Sequence, residues 1–281
     1  MDDPVAPVAP VAPVAPVVAV AQSEAVVDDV DRNLVTLARL AARARDLGAD
    51  LVVTPELFAT GYAPDRAWRH DGAAVRDSLA AIARAEQIAL VASSVESVTG
   101  VEGAAHRITA SLFDPDAGEV VRFGKRHLFG ETERAWMTPA DAYAPPFTWA
   151  GVSWGGGICY DVEFPEFARA QALAGADILL IPTAVPDAEE GMHDLGEAWH
   201  YSASLTSTLQ VPARALESGV AIAYANHCGP GFTGRSCIAT PFGRHAVLLG
   251  DSEDVAVARI PLDAVRHARA VNTYGPDLAR G

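Results

Sequence analysis

Two periodic patterns of apolar residues alternate along the chain. Short apolar runs are typical of buried strands, and stretches with apolar residues three or four positions apart are typical of one helix face. The runs predict strands at Val17–Gln22, Leu51–Thr54, Ile88–Ser93, Val152–Ile158, Ile178–Ile181, Val220–Ala225, Cys237–Thr240, Ala246–Leu249 and Val255–Ile260. The helical stretches predict helices at Asn33–Leu47, Ala74–Glu86, Pro165–Ala174 and Pro212–Gly219. This alternation predicts an α/β fold.

A hairpin interrupts the alternation. Ile108–Phe113 and Glu119–Arg122 flank the turn sequence Asp-Pro-Asp-Ala-Gly at 114–118, so we predict two antiparallel strands there. Hairpins among strand–helix units indicate layers with mixed sheets rather than one all-parallel sheet.

The chain begins with a repeat of a different character. Residues 5–16 contain four copies of Val-Ala-Pro, and a proline at every third position favours an extended, polyproline-like segment. We therefore predict an arm at 1–16 outside the fold, a single domain at 17–270, and a C-terminal tail at 271–281.

Composition narrows the functional classes. The chain has 281 residues, 50% of them hydrophobic, which is enough for one large core. A net charge of −15 argues against nucleic acid as a partner. No apolar run approaches the roughly 18 residues of a membrane span, and the acidic N-terminus lacks the basic region of an export signal. We expect a cytoplasmic protein that does not bind a membrane.

The cysteines do not form a recognisable metal or disulfide pattern. Cys159, Cys228 and Cys237 are odd in number, and no CxxC, HxH or HExxH spacing occurs. We expect buried thiols at Cys228 and Cys237, and neither a metal nor a cofactor.

Cys159 is the candidate nucleophile. It follows the glycine-rich apolar run Val152–Ile158 and starts a segment typical of a turn that enters a helix. A side chain at such a turn faces substrate beside backbone N–H groups that can stabilise an oxyanion. Glu56 and Lys125 support this interpretation, because each places a charge at the end of an apolar strand, although a solvated strand end is the alternative for either alone.

These three residues lie in segments that resemble the signatures of the nitrilase superfamily of carbon–nitrogen hydrolases, which hold a catalytic glutamate, lysine and cysteine in that order. The segments are Pro-Glu-Leu-Phe-Ala-Thr-Gly-Tyr at 55–62, Gly-Lys-Arg-His-Leu-Phe at 124–129 and Gly-Ile-Cys-Tyr-Asp-Val-Glu-Phe-Pro-Glu at 157–166. Later similarities occur at 213–217, 225–226 and 234–243, so the resemblance covers about 17–262. It implies a four-layer α-β-β-α sandwich with two mixed sheets, no cofactor, and at least a homodimer.

The resemblance also implies roles for these side chains. Glu56 would accept the thiol proton, and Lys125 with the backbone N–H of Tyr160 would stabilise the oxyanion. Some amidases of the superfamily have a second glutamate about as far from the lysine as Glu133, where it orients the lysine and the substrate. Glu131 is the competing candidate, and a surface acid is the alternative for either.

The residues after the cysteine bear on the substrate. Tyr160–Asp161 stands where nitrile-cleaving members tend to have Trp-Glu, which favours an amidase of the aliphatic type. Glu163 stands where many relatives carry arginine and would repel a substrate carboxylate, so we expect a neutral or amine-bearing small amide. A helix N-terminal acid is an equally good interpretation of Glu163. The predicted pocket comprises Phe58, Tyr62, Trp136, Glu163, Thr183 and Ala184.

Several alternatives stay open at this point. A nitrilase or an N-carbamoyl amide hydrolase would use the same three residues, and the thioester could pass to an amine instead of water. A non-catalytic scaffold would be expected to have lost one of the three. The stretch 186–210 could be a pocket lid or a subunit contact.

Overall fold

The computed structural model of the chain describes residues 15–100, 105–191, 196, 199–278 and 280. All but the last two residues of the predicted Val-Ala-Pro arm therefore lie outside the described residues. Within the described ranges, no helix combines the length and apolar character needed to cross a membrane.

The elements alternate much as the apolar pattern predicts. The strands are β1 Val17–Gln22, β2 Leu51–Val53, β3 Ala89–Ser97, β4 His106–Asp114, β5 Gly118–Gly124, β6 Phe147–Trp149, β7 Val152–Gly156, β8 Ile178–Pro182, β9 Glu189–Gly191, β10 His200–Ser202, β11 Ala221–Ala225, β12 Cys237–Ala239, β13 His245–Leu248 and β14 Asp254–Arg259. The helices are α1 Val30–Asp46, α2 Pro64–Ala67, α3 Gly72–Glu86, α4 Gly130–Trp136, α5 Pro165–Leu173, α6 Val211–Ser218, α7 Leu262–Val271 and α8 Tyr274–Leu278.

The described strands form two six-stranded mixed sheets and one small hairpin. The first sheet has the order β14-β1-β2-β3-β4-β5, and the second has the order β13-β12-β11-β8-β7-β6. In the first sheet β1, β2 and β3 run parallel, and β4 and β5 form the predicted hairpin. In the second sheet β7, β8 and β11 run parallel and the outer strands are antiparallel.

The two sheets pack face to face, and helices cover their outer faces. Along β11, Ala221, Ala223 and Ala225 belong to the core between the sheets. Ile222 and Tyr224 point the other way, into the layer formed with α5 and α6. Helices α1 and α3 pack in the same manner against the first sheet. Period-two alternation thus divides the apolar residues between layers, and the expected four-layer α-β-β-α sandwich is confirmed.

Local caps explain where the first helices begin. The Asp29 side chain accepts a hydrogen bond from the backbone N–H of Arg32, so α1 starts three residues earlier than the predicted Asn33. Asp71 caps α3 in the same way, so this helix starts at Gly72, two residues before the predicted Ala74.

Some elements were absent from the sequence prediction because they are short. Helices α2 and α4 have little apolar periodicity, and α8 lies within the predicted tail at 271–281. The predicted strand Val152–Ile158 ends at Gly156, although the backbone N–H of Gly157 still donates to the carbonyl of Leu180 in β8 at 3.3 Å. In the stretch 186–210, β9 and β10 pair as a hairpin. The lid and the subunit contact both stay predictions for that stretch.

Close packing before the nucleophile requires glycine. A Cβ on Gly157 would lie 2.3 Å from Cζ of Phe167, whose ring is buried between α5 and the second sheet. We expect Gly157→Ala to lower the free energy of unfolding by about 1–3 kcal/mol through overpacking. Gly250→Ala is the matched control, because its Cβ would meet nothing within 4 Å. Urea denaturation of both variants measures the difference, and equal stability would contradict the packing argument.

Candidate active site

The predicted catalytic residues lie where strands of both sheets end. Glu56 follows β2 and Lys125 follows β5 in the first sheet, whereas Cys159 follows β7 in the second. The backbone N–H of Glu56 donates to the carbonyl of Thr183, just beyond β8, at 3.0 Å. The two facing sheets therefore bring together residues that are far apart in the sequence.

Lys125 is fully buried between two carboxylates. Its Nζ lies 2.9 Å from Oε1 of Glu56 and 2.6 Å from Oε1 of Glu133, and all three side chains are at most 1% exposed. An ammonium group has three N–H donors. The two ion pairs use two of them, which leaves the third N–H for another acceptor.

Glu133 is held by donors on both of its oxygens. Oε1 accepts from Lys125 and from the Tyr62 hydroxyl at 2.6 Å, and Oε2 accepts from the backbone N–H of Phe129 at 2.7 Å. The competing candidate, Glu131, is exposed on the same helix, α4. The geometry therefore places Glu133, and not Glu131, beside Lys125, in agreement with the spacing argument.

Glu56 is the carboxylate with a free oxygen. Its Oε2 is buried and has no hydrogen-bond partner among the described residues. Burial raises the pKa of Glu56 from its ordinary value of 4.5 to about 7, although Lys125 opposes the shift. A carboxylate with a pKa near neutrality and an open oxygen can both take and return a proton.

Cys159 sits on a strained turn beside these charges. Its φ of 51° lies in the left-handed region, which is uncommon for a residue other than glycine. The thiol points to the carbonyl of Ala184 at 3.8 Å, and the residue is 5% exposed. Burial, followed by the negative charge of Glu56, raises the pKa of Cys159 well above its ordinary range. The thiol is therefore protonated at rest and needs a base.

Asp161 connects the nucleophile turn to the lysine loop, a role that the sequence analysis missed. Its carboxylate accepts from the backbone N–H of Ile158 at 3.0 Å and from that of His127 at 2.8 Å. The His127 ring also lies 2.9 Å from Asp161. The only signal in the sequence was an acid two residues after the cysteine, at the start of a turn where such side chains cap N–H groups.

Most of the predicted pocket residues surround the cluster. Phe58 is buried and its ring stacks on that of His227, and Tyr62 contacts Glu133. Thr183 and Ala184 are buried and contact Glu56 and Cys159 through their carbonyl oxygens. Tyr160 follows the nucleophile, and its ring packs edgewise against those of Phe129 and Phe164.

Trp136 and Glu163 differ from the other pocket candidates. The Trp136 ring is 41% exposed and stacks on that of Trp68 at 5.7 Å, so its place in the pocket has no support from the described contacts. Glu163 is half-buried, and its backbone carbonyl accepts from Arg214 at 2.8 Å. Burial raises the pKa of Glu163, while Arg214 and Lys125 lower it in part.

The two other cysteines are ordinary buried thiols, and the described residues contain no metal site. Cys228 and Cys237 are free and buried, as predicted. Across the described ranges, no group of three or more His, Cys, Asp or Glu side chains could hold a metal ion.

Comparison with known proteins identifies the class. The carbon–nitrogen hydrolase family model matches residues 17–270. A hydrolase in the pqqF 5′ region of Pseudomonas protegens is 33% identical over 89% of this chain and 84% of its own length. An N-carbamoylputrescine amidase from Arabidopsis thaliana is 32% identical over 86% of this chain and 85% of its own. A nitrilase from Pyrococcus abyssi is 30% identical over 90% of this chain and 92% of its own.

A solved structure of similar fold carries a reactive cysteine. The amidase from Nesterenkonia sp. superimposes with a TM-score of 0.76 and 35% identity, over 91% of this chain and 94% of that chain. A variant of that amidase carries the acetamide moiety of fluoroacetamide on its active-site cysteine, and another variant is in complex with butyramide.

The sandwich, its cluster of buried charges and these relatives define a hydrolase. More closely, the chain belongs to the carbon–nitrogen hydrolase family, that is, to the nitrilase superfamily.

The Lys125 cluster yields a stability prediction. Glu133→Ala removes one of the two carboxylates at a buried ammonium and also leaves Tyr62 and the Phe129 N–H without an acceptor. We expect the free energy of unfolding to fall by about 3 kcal/mol. Glu131→Ala, on the exposed side of the same helix, should change it by no more than about 0.5 kcal/mol. Urea denaturation at neutral pH measures the free energy of unfolding of both variants. Equal losses would contradict the stabilising role of the ion pairs at Lys125.

Proposed function

We propose that the protein hydrolyses the C–N bond of small carboxamides to a carboxylate and ammonia through a thioester on Cys159. The observation that carries the proposal is the free Oε2 of Glu56 in a buried cluster that also contains the Cys159 thiol, with Lys125 holding the other oxygen of the same carboxylate. This arrangement supplies a nucleophile, a base and a cation within one enclosed site.

The geometry supports a two-stage reaction. Sγ of Cys159 attacks the amide carbon as its proton passes to Glu56, and the remaining N–H of Lys125 with the backbone N–H of Tyr160 stabilises the oxyanion. Glu56 then returns the proton to the nitrogen, so ammonia leaves and a thioester remains. Water attacks the thioester after giving a proton to Glu56, which delivers it to the departing thiolate.

Glu133 supports this reaction from beside the nucleophile. Both of its oxygens are occupied by donors, so it is less suited to proton transfer than Glu56. With Lys125 it forms a neutral pair of opposite charges. That pair allows Glu56 to hold a proton near neutral pH and keeps the ammonium group aimed at the substrate.

Glu163 and the enclosure of the site support a narrow substrate class. Cys159 is only 5% exposed, so a bulky acyl group would need the surrounding loops to move. Glu163, four residues further on, lies close enough to Lys125 for the two charges to interact, so its carboxylate brings negative charge to the site when it is ionised. We infer that the substrates are small amides that are neutral or carry an amine, and not amides with a second carboxylate.

A second candidate has specific support. Relatives named N-carbamoylputrescine amidase match over most of this chain. Hydrolysis of an N-carbamoyl amine needs the same nucleophile and base, and the acid at Glu163 would favour an amine group. Because a nitrilase of Pyrococcus abyssi is also similar to this chain, nitriles are a third class of substrate to test.

Ammonia release from a panel of compounds tests the proposed function. The panel contains short aliphatic amides, an amine-bearing amide, the half-amide of a dicarboxylate, the matching nitriles and N-carbamoyl amines. We expect turnover of the neutral and amine-bearing amides, at least about tenfold lower kcat/KM for the half-amide, and no turnover by Cys159→Ala. Activity that survives in the variant would overturn the mechanism, and equal turnover of the half-amide would overturn the substrate class.

The pKa of Glu56 predicts the acid side of the pH profile. Glu56 accepts a proton only when ionised, and its pKa is raised to about 7, so the competent fraction falls about tenfold per pH unit below 7. We expect kcat/KM to rise to a plateau above pH 7, and Glu131→Gln to keep this profile as the control. If kcat/KM instead falls with an apparent pKa near 4.5, the ordinary pKa of a glutamate, Glu56 is not the base.

A further inference from the structure

His227 follows β11 and lies behind the proposed base. The residue is 1% exposed, and its imidazole is stacked on the rings of Phe58 at 5.5 Å and Phe232 at 4.8 Å. The ring of Tyr62 is tilted against it from a third direction. These contacts fix the plane of the imidazole and leave little room for another rotamer.

The imidazole makes a short hydrogen bond to the main chain of the base. Nε2 of His227 lies 2.6 Å from the carbonyl oxygen of Glu56. A carbonyl oxygen only accepts, so Nε2 carries the proton and donates it. Burial lowers the pKa of His227 to about 4, and the ring is neutral in the working range. Because Nε2 is occupied in this way, it is not available to take the thiol proton.

The main chain around Glu56 needs such support. Leu57, the next residue, has a φ of 51°, which is unfavourable for a leucine. The N–H of Glu56 is held by Thr183 and that of Leu57 by the Ser93 hydroxyl. The carbonyl between these two N–H groups is held by His227. A peptide plane fixed on both sides determines the direction in which the Glu56 carboxylate points.

Asn226, the residue before His227, contacts the segment on the other side of the site. Oδ1 of Asn226 accepts from the backbone N–H of Val185 at 2.8 Å, next to the Ala184 carbonyl that faces the Cys159 thiol. Two consecutive residues at the end of β11 therefore contact both the base segment and the segment beside the nucleophile.

We propose that His227 is a positioning residue for Glu56, which acts by donating its Nε2 hydrogen to the Glu56 carbonyl and so keeps the free carboxylate oxygen on the Cys159 side of Lys125. The proposal rests on the proposed role of Glu56 as the base. It assigns the donor, and not the ring or its charge, as the functional part of His227.

Three variants separate the donor from the ring. His227→Gln places an amide N–H at nearly the reach of Nε2, His227→Asn offers the same amide too far back, and His227→Phe keeps the stacking ring without a donor. With butyramide as substrate, we expect His227→Gln to keep kcat within about fivefold of the wild type. We expect His227→Asn and His227→Phe to lose about 100-fold in kcat, with KM changed less than about threefold. Thermal denaturation shows which variants are folded.

A second measurement does not depend on the hydrolysis of an amide. The rate of alkylation of Cys159 by iodoacetamide, followed on its own peptide by mass spectrometry, reports the ability of Glu56 to take the thiol proton. We expect Glu56→Gln, His227→Asn and His227→Phe to slow alkylation and to change its pH dependence, and His227→Gln to leave both near those of the wild type.

The two measurements distinguish failure of this inference from failure of the proposed function. If His227→Phe matches the wild type in kcat and in alkylation, or if His227→Gln is as impaired as His227→Phe, the positioning role is wrong. If alkylation follows the expected pattern but the wild type releases no ammonia from any amide, the proposed function fails and the positioning of Glu56 stands.

Discussion

A buried ammonium between two carboxylates is the interaction on which the site depends. Removing Lys125 from water is costly unless opposite charges surround it, and Glu56 and Glu133 provide them at 2.9 and 2.6 Å. Glu133 is bound by further donors, so it balances the lysine charge, whereas Glu56 keeps one oxygen free. Burial is the main cause of the pKa of Glu56 near 7; Lys125 opposes the shift, and the second carboxylate, Glu133, adds to it.

The sandwich provides the geometry that this cluster requires. Parallel strands end at one edge of each sheet, and packing two sheets face to face places Glu56 of the first sheet near Cys159 of the second. Short polar links then join the loops. Asp161 connects the turn of Cys159 to the loop of Lys125, and Asn226 with His227 connects the two sides of the cleft. These hydrogen bonds link the segments that carry Glu56, Lys125 and Cys159 to neighbouring loops.

Prediction from sequence succeeded for most elements with strong periodicity and failed mainly where the chain is short or polar, although it also missed α7, whose buried face is Leu262, Val265 and Ala268. Strands such as β8 and β11 are continuous apolar runs, and α1 and α3 have apolar faces bounded by caps, so their positions were predicted within a few residues. Helix α4 has no apolar face, because its one buried residue is Glu133. The buried side of this helix faces the charge of Lys125, and neither helix propensity nor a hydrophobic pattern can indicate such a helix.

The sequence by itself determined the layered α/β class, the order of most of the longer strands and helices, and the three motifs that contain Glu56, Lys125 and Cys159, because these depend on residue types and local spacing. Only the tertiary structure decided between Glu133 and Glu131, removed the support for Trp136, and gave Asp161 and His227 their partners. Burial and hydrogen bonding depend on residues far away in the chain: His227 meets Glu56 across 171 positions. No local pattern contains that information, because the contact exists only when the two sheets pack.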